Sequence, residues 1–428
     1  AQDLGLRGVL VPSACAAEAS MVSGVEVFTV DHLAQVIAAL DGQAGLPRWE
    51  PTALPTAPPP AESGDFSEVR GQLVARRAVE LAVAGGHNLL LVGPPGAGKT
   101  LLSRRIPTIL PEISRREAIE VTKIYSAAGL SPEEGLILRR PFRAPHHSIS
   151  SAALVGGGTI PRPGEVSLAH RGVLFLDELP EFSRAAIETL RQPLEDRIVN
   201  IGRVHSRVCI PASFFLVASA NPSPCGWHGS NDKACICSVG AIERYRSRLS
   251  GPLLDRIDLQ VRVAGVDLDE LRRSSDGECS SAIRERVIVA RERQAARLHR
   301  WGALLNGEMS PAAARATCRL TDGAEKTLAR LFVKRVSMTA RGVERIIRVA
   351  RTICDIQKTE PIGSEEILEA AMYRALDLDP VVDPRCLSTK TVVTIERQQS
   401  DAAEGDTHPS PIAESRLDRA CSSRAERT

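Results

Sequence analysis

Apolar and polar positions change rhythm several times along the chain. Near its start, VEVFTV (25–30) reads as a strand, and an amphipathic helix follows from Asp31 to about Leu40, stopped by Asp41-Gly42. Residues 46–64 lose that periodicity: the stretch LPRWEPTALPTAPPPAE is proline-rich and reads as an extended linker. Over 65–265 short, wholly apolar runs alternate with helical stretches, which predicts an α/β fold with a largely parallel sheet. Over 266–380 the pattern becomes charged, alanine-rich and helical, predicting an all-helical subdomain. From 381 to 428 the periodicity dissolves into Ser, Thr, Asp, Glu and Arg, the composition of a disordered tail.

One stretch inside the α/β part stands out. RIVNIGRVHSRVCI (197–210) alternates apolar and polar residues on both sides of a short basic tip, Gly202 to Arg207. This predicts a β-hairpin carrying Arg203, His205 and Arg207 at its end.

Composition narrows the classes. A chain of 428 residues, 43% apolar, can bury more than one core, and about two or three domains are expected. The net charge of +2 argues neither for nor against nucleic acid, so any such case must be local. No apolar run is long enough to span a membrane, and no charged-then-apolar leader is present. The first residue is Ala and opens directly into patterned sequence, so the chain reads as a piece of a longer one. Cysteines are scattered except for Cys225, Cys235 and Cys237, which suits a reducing cytoplasm better than a disulfide framework.

The strongest chemical signal is LLLVGPPGAGKT (89–100): a buried strand, a GxxxxGKT loop and a helix, the context a P-loop requires. Gly93, Pro94, Pro95, Gly96, Ala97 and Gly98 form the loop, and its glycines let backbone N–H groups face the phosphates. Lys99 reaches the β- and γ-phosphates of ATP, and Thr100 offers a hydroxyl to Mg²⁺. GVLFLDE (172–178) is a second apolar strand, ending in two acids. Asp177 is the candidate for the Mg²⁺ shell and Glu178 for activating the attacking water. FFLVASANP (214–222) is a third, ending in Asn221, a candidate reporter of the γ-phosphate. Arg256, in SGPLLDRID, and Arg341, opening a helix, are candidate phosphate contacts, with Arg244, Arg246, Arg248, Arg345 and Arg348 as nearby competitors.

Two further stretches carry chemistry-bearing residues. RPFRAPHHSISSAALVGGG (140–158) presents Arg140, Arg143, His146 and His147. Adjacent histidines point apart on regular structure, so a shared metal is poor geometry, and a loop touching DNA or a neighbouring protomer fits better. SPCGWHGSNDKACIC (223–237) offers Cys225, His228, Cys235 and Cys237, enough for a tetrahedral structural Zn²⁺. Reduced cysteines in a surface loop are the alternative.

Taken together, GPPGAGKT, RPFRAPHHSIS, GEVSLAHRGVLFLDELPEF, ASANPSPCG, RYRSRLSGPLLDRIDL and ARGVERIIRVART resemble the ComM/YifB family of Mg-chelatase-like AAA+ ATPases, over about residues 1–380. The resemblance implies an AAA+ P-loop core with a helical lid, hexameric rings, and a DNA branch-migration motor acting in natural transformation. It implies that Arg256 enters a neighbouring subunit's site as an arginine finger and that Arg341 senses the γ-phosphate from the lid. It also implies that the hairpin projects into the ring's pore, where Arg203, His205 and Arg207 would grip phosphates of single-stranded or branched DNA. Such proteins begin with a Lon-protease-like domain, of which residues 1–45 would be only the tail. The family's cysteine pattern looks like CPC followed by CxC, and here Ser223 replaces the first cysteine. Two other functions remain in view: a Mg-chelatase-type subunit remodelling a protein partner, and an unfoldase. The hairpin tip lacks the aromatic residue with which an unfoldase grips polypeptide.

Overall fold

The computed structural model describes residues 4–20, 24–50, 64–130, 136–157, 161–202, 207–230, 233–265, 277–334 and 339–374. At the N-terminal end, β1 (Gly8–Val11) and β2 (Glu26–Thr29) pair in parallel, with the helix Leu33–Leu40 after them. The chain then turns back along β2: Thr29 donates to the Pro47 carbonyl at 3.0 Å and Trp49 to that of Val27 at 2.8 Å. Pro47 to Trp49, inside the stretch whose proline content reads as linker, therefore pair with this small sheet.

The central sheet is built from β3 (Leu89–Val92), β4 (Phe142–Arg143), β7 (Val173–Leu176), β10 (Phe215–Ala220) and β11 (Leu259–Arg262). Its order is β11-β3-β10-β7-β4 and every pairing is parallel. Both faces are covered, which is why these strands read as unbroken apolar runs rather than alternating ones. Leu89 and Leu91 face a core shared with the helices Leu73–Gly85, Lys99–Ile109, Ser280–Leu298 and Ala340–Gln357, while Leu90 and Val92 face the opposite core. All three leucines are fully buried, each contributing about 1.5–3 kcal/mol relative to exposure.

Two antiparallel hairpins interrupt this α/β frame. One, β5 (Gly156–Gly157) with β6 (Arg162–Pro163), lies in the 140–158 region and its exit. The other, β8 (Ile198–Gly202) with β9 (Arg207–Pro211), is the hairpin the alternation predicts, in register Gly202↔Arg207. Val199, Ile201 and Ile210 are buried in the core on that side of the sheet, so the hairpin's inner face is packed rather than solvated. Residues 277–374 are predominantly helical, as the pattern predicts.

A buried polar network joins the helical part to the sheet. His87, wholly buried, hydrogen-bonds Thr352 Oγ1 at 2.7 Å through Nε2 and lies 3.6 Å from Asp258 through Nδ1. Asp258 also pairs with Arg345, and Arg374 donates to the Ile257 carbonyl at 3.1 Å. No helix among the described residues is long and apolar enough to cross a membrane.

Candidate nucleotide site and the residues around it

Strand register brings the candidate residues to one edge. Ala220 is level with Val92 and Ala218 with Leu176, so Asn221 leaves the sheet beside Gly93, and Ser219 sits beside Asp177. The phosphate loop fills the turn from β3 into the helix Lys99–Ile109. Gly96 and Gly98 both hold φ of +80°, a left-handed conformation that glycine adopts without steric cost. Gly93 is required for another reason: a Cβ there would lie 2.2 Å from the Val263 carbonyl oxygen.

Lys99 is 8% exposed and its ammonium donates to the carbonyls of Gly93 (2.7 Å) and Pro94 (2.8 Å) and to Asn221 Oδ1 (3.2 Å). Burial pulls its pKa below the ordinary lysine value, and the carboxylates of Asp177 and Glu178 offset part of that. These three partners are neutral oxygens, so the charge is held ready for an anion at a helix N-terminus, where dipole and free amides also favour one. This cradle fits a polyphosphate. Thr100 donates its hydroxyl to Asp177 Oδ2 at 3.0 Å, while the other Asp177 oxygen accepts from Ser219. A hydroxyl beside a carboxylate is the hard-oxygen donor set that suits Mg²⁺. Glu178 adopts φ of +53° and its amide donates to Ser219 Oγ at 3.0 Å. A left-handed non-glycine residue costs of order 1–3 kcal/mol and is found where function demands it.

Three supporting residues are not singled out by the sequence, although Ser219 and Tyr245 lie inside ASANPSPCG and RYRSRLSGPLLDRIDL. Gln72, at φ +54°, donates from its amide to the carbonyls of Ala97 (2.9 Å) and Ala264 (2.8 Å), bracing the phosphate loop from outside. Ser219 links Asp177 to Glu178. Tyr245 lies against the Asn221 backbone, and burial, helped by Glu181, pushes its phenol up to about 12.

The arginines separate cleanly. Asn88, at the opposite end of β3 from the phosphate loop, donates to the Arg256 carbonyl at 2.9 Å. The four residues of β3 put about 13 Å of strand between that level and the loop. The Arg256 guanidinium pairs with Glu195 and donates to the Pro252 carbonyl at 2.7 Å. Arg341 is exposed in the first turn of Ala340–Gln357, a helix capped by Thr339, whose hydroxyl accepts from the Gly342 amide at 3.1 Å. Arg345 is spent on Asp258.

Of the hairpin tip, Arg203 and His205 lie outside the described residues; Arg207 begins β9. The hairpin's base is tied to the helical part: Arg197, at φ +58°, pairs with Glu308. In the 140–158 region Arg140 is held by Glu117 at 2.9 Å and by the Pro111 carbonyl at 2.7 Å, and Arg143 grips Glu165 through two bonds of 2.6 and 2.7 Å. These basic residues fasten the loop to its own chain. Contrary to the expectation that adjacent histidines point apart, the rings of His146 and His147 lie with centroids 4.0 Å apart, and His147 meets Phe182 edge-on.

The sulfurs of Cys225, Cys235 and Cys237 lie within 4.8 Å of one another, a group that does not include His228. Burial together with the nearby cations Arg246 and Arg262 pushes His228 below its ordinary value.

Sheet order, phosphate loop and the acid pair define a P-loop core of the AAA+ class. A family model described as magnesium chelatase, subunit ChlI, matches residues 65–271, and one for the ChlI C-terminal region matches 277–374. The chain is 44% identical over 372 residues to an uncharacterized protein of Mycobacterium tuberculosis, covering 86% of this chain and 73% of that one. It is 41% identical over 372 residues to YifB of Salmonella typhimurium, covering 87% and 72%. It is 41% identical over 374 residues to the competence protein ComM of Haemophilus influenzae, covering 86% and 72%. The chain belongs to the ComM/YifB family of Mg-chelatase-like AAA+ ATPases.

Proposed function

We propose that this chain is the subunit of a hexameric, ATP-driven ring that moves single-stranded or branched DNA, as in branch migration. Lys99 exchanges its bond to Asn221 for phosphate oxygens as ATP enters the loop. Thr100 and Asp177 would hold Mg²⁺, which would supply positive charge to neutralise the phosphates. Glu178 orients the attacking water and takes its proton, while Asn221, released from Lys99, reports the γ-phosphate. Arg256, at the opposite end of the strands from its own phosphate loop, serves the next subunit's nucleotide, and Arg341 closes over the phosphate from the helical part.

The observation that carries the DNA reading is the position of the β8–β9 hairpin. It leaves the chain between the strand ending in Asp177-Glu178 and the strand ending in Asn221. Its root contacts Glu308, so movement of the helical part bears on it directly. The basic sequence Arg203-Val204-His205-Ser206-Arg207 at its end suits a sequence-independent, salt-sensitive grip on phosphates. The test is DNA affinity of the variant combining Arg203→Ala and Arg207→Ala. Weakened binding with basal ATPase intact supports the reading, and unchanged DNA affinity removes it. The family model's own description favours a second reading, a chelatase-type subunit remodelling a protein partner. An ATPase indifferent to DNA would bring that reading forward.

A further inference from the structure

Three thiols and one hydroxyl converge beside the phosphate loop. Cys225 Sγ lies 3.5 Å from Cys235 Sγ, and Cys237 completes the trio. The wholly buried Ser223 places its hydroxyl oxygen 3.5 Å from Cys225 Sγ and 3.8 Å from Cys235 Sγ. A tetrahedral zinc ion with Zn–S of about 2.3 Å and Zn–O of about 2.0 Å needs S···S edges of about 3.8 Å and S···O edges of about 3.5 Å. The three separations among Ser223, Cys225 and Cys235 lie close to edges of that tetrahedron, and the Cys237 sulfur lies within 4.8 Å of the other two sulfurs. They are too long for a disulfide, whose sulfurs sit about 2.0 Å apart. The amide of His228 donates to Ser223 Oγ at 3.3 Å. His228 thus fixes the hydroxyl through its backbone, which leaves Ser223 Oγ, rather than the His228 ring, beside the sulfurs of Cys225 and Cys235.

The cluster also touches the nucleotide machinery. The turn that carries Cys225 closes through Gly226, whose amide donates to the Ser223 carbonyl at 2.9 Å. Gly226 holds φ of +83°, and a Cβ there would meet Pro95 Cδ at 2.5 Å. This turn therefore abuts the phosphate loop at Pro95, and Asn221 lies two residues upstream of Ser223.

We propose that Ser223, Cys225, Cys235 and Cys237 form a zinc site that holds Asn221 and the Pro95 turn in place, so that nucleotide affinity depends on the metal. The metal half stands on its own geometry; the coupling half rests on the nucleotide reading above.

The test uses the full chain purified in reducing, chelator-free buffer. Metal analysis gives about one zinc per chain, and cobalt(II) substitution gives thiolate charge-transfer and tetrahedral d–d absorption. Ser223→Cys tightens zinc by at least about tenfold and strengthens the charge-transfer band, while His228→Ala changes neither. Stripping zinc from the unaltered chain weakens binding of a fluorescent ADP about tenfold, and adding Zn²⁺ restores it. Absence of zinc together with an octahedral cobalt spectrum overturns the site, as does a Cys225–Cys235 disulfide in the reduced preparation. Loss of zinc in His228→Ala with no response to Ser223→Cys overturns the assignment of the fourth corner. Zinc that binds without altering ADP affinity overturns the coupling alone. If ADP binds with neither metal state, the coupling falls together with the nucleotide reading, and the zinc content still decides the site.

Discussion

Lys99 donates to Asn221 Oδ1 across 3.2 Å, joining the phosphate loop to the end of β10. The bond leaves both groups prepositioned: the lysine has no carboxylate among these hydrogen-bond partners, and the asparagine carbonyl oxygen is held by the lysine. Lys99→Ala is expected to abolish ATP and ADP binding. Asn221→Ala is expected to leave ADP affinity nearly unchanged and to lower kcat about 10²-fold, the cost of one oriented polar group. Equilibrium binding of a fluorescent nucleotide beside steady-state turnover separates the two.

Glu178 is held in a left-handed backbone by its amide bond to Ser219. Glu178→Gln keeps the shape and removes the proton acceptor, so ATP should bind while turnover falls by about 10²–10⁴-fold. Retained hydrolysis would remove Glu178 from its role as base.

The Arg256 backbone sits at the opposite end of β3 from its own phosphate loop, and its guanidinium is parked on Glu195. Arg256→Ala should therefore bind nucleotide normally and lose about 10³–10⁵ in kcat. Mixing chains carrying Arg256→Ala with chains carrying Lys99→Ala should recover part of the activity, because one supplies the loop and the other the finger. No recovery at any ratio contradicts action between subunits.

Asp258 is buried against Arg345 and His87. Burial alone would raise its carboxyl, but the Arg345 charge and the neighbouring His87 ring outweigh it and hold the group well below its unfolded value of 3.8. A depressed carboxylate contributes stability that is complete above about pH 4 and is lost as pH falls through the folded value. Arg345→Ala leaves the carboxylate buried without its main partner. It should destabilise the fold by about 3–5 kcal/mol and move the acid limb of a denaturation-versus-pH curve upward. Identical acid limbs in both proteins would refute this.

Much of the frame was readable from apolar rhythm because a parallel sheet covered on both faces leaves strands as unbroken runs, and three such runs end in the groups of the site. Gln72, Ser219 and Tyr245 gave no such signal. Gln72 reaches Ala264 across 192 positions, and only the folded register sets Ser219 beside Asp177. Arg140 and Arg143 show the other side of this. Their basic motif suggests contact with DNA or a neighbouring protomer, and the structure adds intrachain partners that the sequence does not mark, Glu117 and Glu165, 23 and 22 positions away. His228 supplies the right ligand type at a suitable spacing, but it meets the cysteine cluster through its backbone amide.

The most direct measurement is steady-state ATP turnover with and without single-stranded and four-way-junction DNA, over a range of salt concentrations. A DNA motor predicts stimulation that fades steeply as salt rises, because each phosphate contact releases counterions. Measurable basal turnover that stays flat with either DNA at every salt concentration would contradict it.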